Sequence, residues 1–272
     1  RLVAAGGGDG IRVHAQNCRI REQSLQLLLD LLRAAADSLH RAAAFGAARV
    51  RGLGVAAVVA HQAAARGVIG QVDAAARALR HVAAVHADEE AAVAAAALEA
   101  GAEIINDISA MTFDPAMPSV IAAADAAVIL MHMRGTPQTM QNPENLVYGD
   151  VCAEVASYLQ TAFERAVAAG IHPDSILLDP GLGFAKTQEQ NFELVRGASK
   201  LRERVEAPLF YAPSRKSFLS HICEGKKPAE RDYATAGVLA SLTAQKIEFV
   251  RVHNVPMALE SMTAFFRCNA AE

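Results

Sequence analysis

Short apolar runs alternate with longer amphipathic stretches through the second part of the chain. The runs 104–107, 127–133, 175–178, 208–212 and 249–252 are rich in Ile, Val, Leu and Phe and are flanked by turn residues. Runs of that length and character predict strands covered on both faces. Between them the pattern is helical. Asp88, Glu89 and Glu90 suit the N-terminal end of a helix dipole, and Gly101 closes that helix. Asp114 followed by Pro115 marks another helix start. Further helices are predicted over 151–169, 189–196, 231–245 and 257–266, with Gly170 ending the first of these. The stretch 134–145 is a long polar loop.

Five strands alternating with helices imply a parallel sheet. The right-handed crossover rule leaves either a barrel or an open doubly wound sheet. No Gly-x-Gly-x-x-Gly follows any of the five strands, which weakens the dinucleotide-binding open sheet. The predicted fold class is therefore α/β, a (β/α)8 TIM barrel. Three further strands must come from the first 86 residues.

Those residues have a different character. Residues 1–87 form an atypical Ala/Arg-rich part that need not supply regular strands one to three, and 88–272 form the barrel region of the same single domain. Helix is predicted over 22–44, where Leu25, Leu28, Leu29, Leu32 and Leu39 recur at helical spacing, and over 72–85. Residues 55–60 are the best strand candidate and 11–13 a weaker one.

Composition narrows the function classes. The 272 residues suit one such barrel, and 52% apolar content supports a sizeable core. A net charge of −3 gives no electrostatic footprint for nucleic acid. No apolar run approaches the roughly 20 residues that span a bilayer. Cys18, Cys152, Cys223 and Cys268 are far apart and form no Cys-x-x-Cys pair, which predicts reduced thiols in a cytoplasmic protein.

In a (β/α)8 barrel, chemistry sits where strands end and loops begin. Each of the five strands ends in a polar cluster: Asn106-Asp107, 132–136, 179–184, 214–217 and 251–254. Asp179 can accept two adjacent donors from an amino-pyrimidinone edge. Asn106 offers both a donor and an acceptor to a mixed ring edge, and Lys216 a donor to a ring carbonyl or nitrogen. Met133 and Phe184 can pack on the faces of a flat ring. Arg251 and His253 alternate on one strand, so both face the same side, as a diphosphate group requires.

These clusters resemble those of the dihydropteroate synthase family of pterin-binding barrels. The run Leu130-Met-His-Met-Arg-Gly-Thr-Pro-Gln-Thr-Met-Gln141 looks like that family's fifth strand and loop. Ile105-Asn-Asp-Ile108 resembles its fourth strand, and Asp179-Pro-Gly-Leu-Gly-Phe184 its sixth. Ser214-Arg-Lys-Ser-Phe218 and Arg251-Val-His253 resemble its seventh and eighth. The resemblance covers about residues 88–266. It implies condensation of p-aminobenzoate with 6-hydroxymethyl-7,8-dihydropterin diphosphate to dihydropteroate and pyrophosphate, in folate biosynthesis. It further implies Mg²⁺, a homodimer, and competition by sulfonamides. Carried onto this chain, Asn106, Met133, Asp179, Phe184, Lys216 and Arg251 would bind pterin. Arg251 and His253 would hold diphosphate, and Lys216, Arg251 and His253 would be catalytic. No residue is assigned to metal.

The N-terminal motifs of the family are not found. They are an Asn-x-Thr-Pro-Asp-Ser-Phe strand end, a Gly-Gly-Glu-Ser-Thr-Arg-Pro loop, and an Asp in Ser-x-Asp-Thr. Ala87 stands at that Asp position, and a one-residue shift to Asp88 turns the side chain to the other face. Ala212 stands where the family has Gly, and Asn254 where it has Asp. Two origins remain open for the first 86 residues: a shifted or rearranged reading frame in a GC-rich gene, or divergence with new strands replacing old ones. Two alternatives to the synthase also stand: a pterin-binding methyltransferase domain, and a catalytically impaired pterin-binding paralogue or dimer partner.

Overall fold

A computed structural model describes residues 57–60, 82–85, 90–99 and 101–269. Its strands are β1 (Ala57–Ala60), β2 (Val82–Val85), β3 (Ile104–Asp107), β4 (Ala127–Met131), β5 (Ile176–Asp179), β6 (Phe210–Tyr211) and β7 (Phe249–Val252). Its helices are α1 (Glu90–Glu99), α2 (Met117–Ala123), α3 (Val151–Ala168), α4 (Gln188–Arg196), α5 (Ala198–Arg202), α6 (Asp232–Ala244) and α7 (Val255–Asn269). From β2 onward, helix follows strand at every step.

The helix ends follow local chemistry. Asp150 caps α3, accepting from Ala153 N at 2.9 Å. Thr187 and Gln190 close a reciprocal capping box on α4. Gly101 and Gly170, just past α1 and α3, take φ of +97° and +96°. Asp114 accepts from Ala116 N and from Ala91 N, so it ties the start of α1 to the segment that leads into α2.

Strands β2, β3, β4 and β5 pair in parallel in that order, and β6 pairs in parallel with β7. A parallel bridge from Leu178 to Leu209 joins β5 to the run leading into β6. Six consecutive strands thus form one parallel wall in sequence order, the arrangement of a (β/α)8 barrel. Closure is not seen among the described residues. There β1 pairs antiparallel with β7, Ala57 opposite Val252 and Ala60 opposite Phe249.

The strand expected over 55–60 is therefore present over 57–60, but in the opposite direction to a barrel strand. The helix expected over 72–85 is overturned at its end, because 82–85 is strand β2, with Val82 opposite Ile104 and Val85 opposite Asp107. Alanine periodicity favours helix there, yet parallel pairing with an adjacent apolar strand overrides weak local propensity. The expected helix over 22–44 and strand over 11–13 lie outside the described residues, as do Ala87 and Asp88.

The period-2 alternation of the strands sorts their side chains into two layers. Ile105, Val128, Leu130, Ile176, Leu178, Tyr211, Val250 and Val252 face the helices and join the main core. Ile129, Phe210 and Phe249 form a separate inner cluster, with Ile104 and Leu177 packed against it. Asn106, Met131, Asp179 and Arg251 stand two residues further along the same inward rows. The inner cluster is thus a floor, and the residues above it are polar at three of these four strands.

Candidate active site

Asn106 and Asp179 end inward rows and are almost fully buried, at 3% and 1% exposure. The Asn106 Oδ1 atom is buried with no hydrogen-bond partner. Such an orphaned acceptor is uncommon in folded proteins and calls for a ligand, an ion or an ordered water. Asp179 accepts from Gly181 N at 2.8 Å. Burial raises its pKa, while Lys216, Gly181 N, Arg251 and Lys186 pull it back down. Gly181 has a φ of +70°, and a Cβ there would lie 2.1 Å from the His132 carbonyl oxygen. Only glycine lets this loop close on β4.

Lys216 reaches over from the loop after β6. Its ammonium sits 4.7 Å from the centre of the Phe184 ring and donates to the Leu182 carbonyl. Burial, with Arg251, pushes Lys216 down to about 8 against the pull of Asp179. Arg251 lies over the Phe210 ring at 5.9 Å. Met133 and Phe184 belong to one apolar group with Ile108, Met131 and Ala185. The structure therefore brings together Asp179, Lys216 and Arg251 electrostatically, with Phe184 against Lys216 and Met133 in the same apolar group. Asn106 stands on the same inner face, two strands from Asp179.

His253 lies at the rim. Its Nδ1 is 3.0 Å from Ser214 Oγ, and its backbone N–H donates to the same oxygen at 3.2 Å. Burial first, then Arg215, Arg251 and Lys216, lower its pKa, and Asp232 opposes them. Three cations and one carboxylate thus face this ring.

Several polar residues of the strand-end clusters serve the scaffold instead. Asp107 turns outward and accepts from Ser109 N and Oγ, both at 2.7 Å, and from Met111 N at 2.6 Å. That cradle supports the left-handed backbone of Ala110 and Met111, at φ +51° and +61°. Arg134 stacks on Tyr148 at 3.8 Å and pairs with Glu154 at 2.6 Å. Arg215, with φ +62°, grips Asp232 through two hydrogen bonds of 2.7 and 2.9 Å. Arg231 donates to the carbonyls of Arg215 and Lys216, both at 3.3 Å, and so holds that strained turn. The departure at Asn254 also has a scaffold use, since its amide donates to Asp232 Oδ2 at 2.8 Å.

Sequence reasoning missed Lys186. It is buried and donates to Phe184 O at 2.9 Å and Gly181 O at 3.1 Å, and lies 3.0 Å from His132 Nδ1. It thus clamps the loop after β5 to the end of β4. Burial pushes its pKa down, and Asp179 pulls it up. The available signal was its place one residue before the Thr187 cap, where a cation opposes the helix dipole. His132 is its buried partner, driven down to about 2 by burial, Lys186 and Arg134, and so neutral near neutral pH.

Among the described residues no group of three or more His, Cys, Asp or Glu side chains can hold a metal ion. Nor is any helix among them long and apolar enough to cross a membrane.

The sequence pattern of the family described as "Pterin binding enzyme" matches residues 56–253. A dihydropteroate synthase of Synechocystis sp. is 44% identical over 165 residues, which cover 61% of this chain and 56% of that protein. A mitochondrial folate synthesis bifunctional protein of Arabidopsis thaliana is 40% identical over 171 residues, covering 60% of this chain and 31% of that protein. The chain thus matches little more than half, or less, of the length of these relatives. Among solved structures, a Yersinia pestis dihydropteroate synthase with a sulfonamide drug complex superposes with a TM-score of 0.63 at 32% identity, covering 69% of this chain and 66% of that one. The Xanthomonas albilineans dihydropteroate synthase in complex with 7,8-dihydropteroate gives 0.62 at 27% identity, covering 70% of this chain and 67% of that one. This likeness agrees with the parallel wall in assigning the chain to the (β/α)8 barrel class.

Proposed function

The chain belongs to the pterin binding enzyme family, and from that premise we propose that it is a transferase that condenses p-aminobenzoate with 6-hydroxymethyl-7,8-dihydropterin diphosphate. Its products are dihydropteroate and pyrophosphate. The observation that carries this reading is the buried, unpartnered Asn106 Oδ1 on the same inner face as the Asp179 carboxylate. A pterin edge supplies the donor that Asn106 Oδ1 lacks and further donors to the Asp179 carboxylate, which already accepts from Gly181 N. Asp179 accepts two of them, Asn106 another, and Lys216 donates to the ring. Phe184 and Met133 pack on the ring faces. Arg251 and His253 then lie where the diphosphate leaves, and the positive field there stabilises its growing charge.

In the reaction the amine nitrogen of p-aminobenzoate attacks the methylene carbon. The carbon–oxygen bond to diphosphate breaks, and the amine gives up a proton. The protein's share is orientation and charge stabilisation. A Mg²⁺ requirement belongs to the proposal as a property of the reaction. The proposal also takes in a homodimer, a cytoplasmic location and competition by sulfonamides.

One observation favours a second reading. The family's first and second loop motifs are not found in the sequence, which suits a pterin-binding paralogue or dimer partner with impaired catalysis. Purified protein given both substrates and Mg²⁺ separates the two. Dihydropteroate formation supports the synthase, binding of pterin without turnover supports the paralogue, and no binding sinks both.

A further inference from the structure

The Ser214 hydroxyl has one proton to give and two lone pairs. One lone pair is taken by the backbone N–H of His253 at 3.2 Å. The hydroxyl is buried, at 5% exposure for the residue, and its other contact among the described residues is His253 Nδ1 at 3.0 Å. If Nδ1 carried a proton, two donors would point at Oγ, and the hydroxyl proton would have no acceptor. An unmade bond of this kind disfavours that state by about tenfold or more. Nδ1 is therefore the acceptor, and the ring proton belongs on Nε2. The ring is exposed at the rim, and Nε2 has no partner among the described residues.

We infer that Ser214 is a positioning residue that fixes His253 as its Nε2–H tautomer, so that Nε2 donates outward to a bound diphosphate. The anion half of this statement rests on the function proposed above, and the tautomer half on the hydrogen bonds alone. The groups that face His253 are Arg215 and Lys216 from the loop after β6, Arg251 from β7 and Asp232 from α6. Partial burial and the three cations lower the pKa of the ring and so favour its neutral form, in which the choice of tautomer decides whether an anion meets a donor or a lone pair. The run Ser214-Arg-Lys-Ser217 thereby gains a role for its first residue. The loop that carries Lys216 into the site also orients the histidine just past the neighbouring strand.

Nitrogen NMR of the full chain labelled with ¹⁵N-histidine tests the tautomer directly. The chain has nine histidines, and His253→Asn identifies the resonances of interest. The expected wild-type spectrum has a protonated Nε2 and a hydrogen-bonded, unprotonated Nδ1. In Ser214→Ala the Nδ1 resonance moves toward that of a free imidazole nitrogen, and Ser214→Thr keeps it near the wild-type position. Calorimetry with inorganic pyrophosphate gives about five- to tenfold weaker binding to Ser214→Ala and near wild-type binding to Ser214→Thr. A wild-type spectrum with the proton on Nδ1 overturns the inference even if the alanine variant fails to fold. So does a Ser214→Ala protein with an unmoved Nδ1 resonance. A wild-type protein with the expected spectrum but no affinity for pyrophosphate overturns the anion role while the tautomer stands, and the function proposed above is judged separately by dihydropteroate formation.

Discussion

Replacing His132 with asparagine should flatten the acid limb of the protein's stability. His132 is buried beside Lys186 and meets the Tyr158 ring edge-on at 4.8 Å. Its folded pKa is pushed from 6.5 to about 2, by burial first and then by Lys186 and Arg134. Between those two values the unfolded chain binds a proton at this ring that the folded chain does not. Stability therefore rises with pH across that window and is lost on acidification below about 6.5. Each pH unit crossed removes about 1.4 kcal/mol, so acidification to pH 5 removes about 2 kcal/mol through this one ring. That is a large share of a total stability of roughly 5–15 kcal/mol. In His132→Asn the new amide oxygen can still accept from Lys186, but the side chain cannot titrate. Loss of the ring's packing lowers the variant's stability near neutral pH by about 1–2 kcal/mol, and the slope carries the test. Denaturant unfolding of both proteins at several values between about pH 5 and 7.5 measures it. The gap in stability should close by about 2 kcal/mol toward pH 5. A gap constant to within about 0.5 kcal/mol would refute a neutral, buried His132.

Three further outcomes follow from the site. Asp179→Ala and Lys216→Ala should each abolish pterin binding in calorimetry while circular dichroism shows the fold intact; unchanged affinity refutes the assigned pocket. Lys216, lowered to about 8, loses its proton as pH rises past that value, so pterin affinity should weaken between about pH 7 and pH 9; an affinity that stays flat across that range counts against Lys216 as a charged donor to the ring. Asn254→Asp should lower stability by about 1 kcal/mol, because it replaces the 2.8 Å amide donation to Asp232 with two facing carboxylates; an unchanged melting temperature counts against that network.

The legible part of this molecule is the part where strand periodicity and chemistry coincide. Asn106, Asp179 and Arg251 each end a short apolar run, and a period of two turns each of them inward above an apolar floor. Lys216 and His253 were legible as members of polar clusters at strand ends. The same logic over-reads. Asp107, Arg134 and Arg215 sit in those clusters too, yet they brace turns, because a loop that must hold a left-handed or tightly folded backbone needs polar partners of its own. Lys186 was missed for the opposite reason, its one local signal being its place before the Thr187 cap. It follows no strand end directly, and only the folded loop brings it back to His132 and the carbonyls around Asp179. Strand β2 was hidden by alanine, whose helical preference is overridden by pairing with β3.

The change of composition near residue 86 does not coincide with the edge of the family match. The family pattern extends back to residue 56, although the motifs that carry the resemblance begin only in the region after 88. β2 takes the place beside β3 that a third barrel strand would occupy, and does so in parallel register. β1 does not continue the series, since it runs antiparallel against β7. The wall that positions Asn106, Asp179, Lys216, Arg251 and His253 is the parallel run from β3 to β7, flanked by β2 opposite Asn106 and by β1 opposite Arg251. The half that would hold p-aminobenzoate rests, by the resemblance, on loops whose motifs this sequence lacks. Binding of pterin and turnover are for that reason separable properties of this chain, and a measurement of one does not stand in for the other.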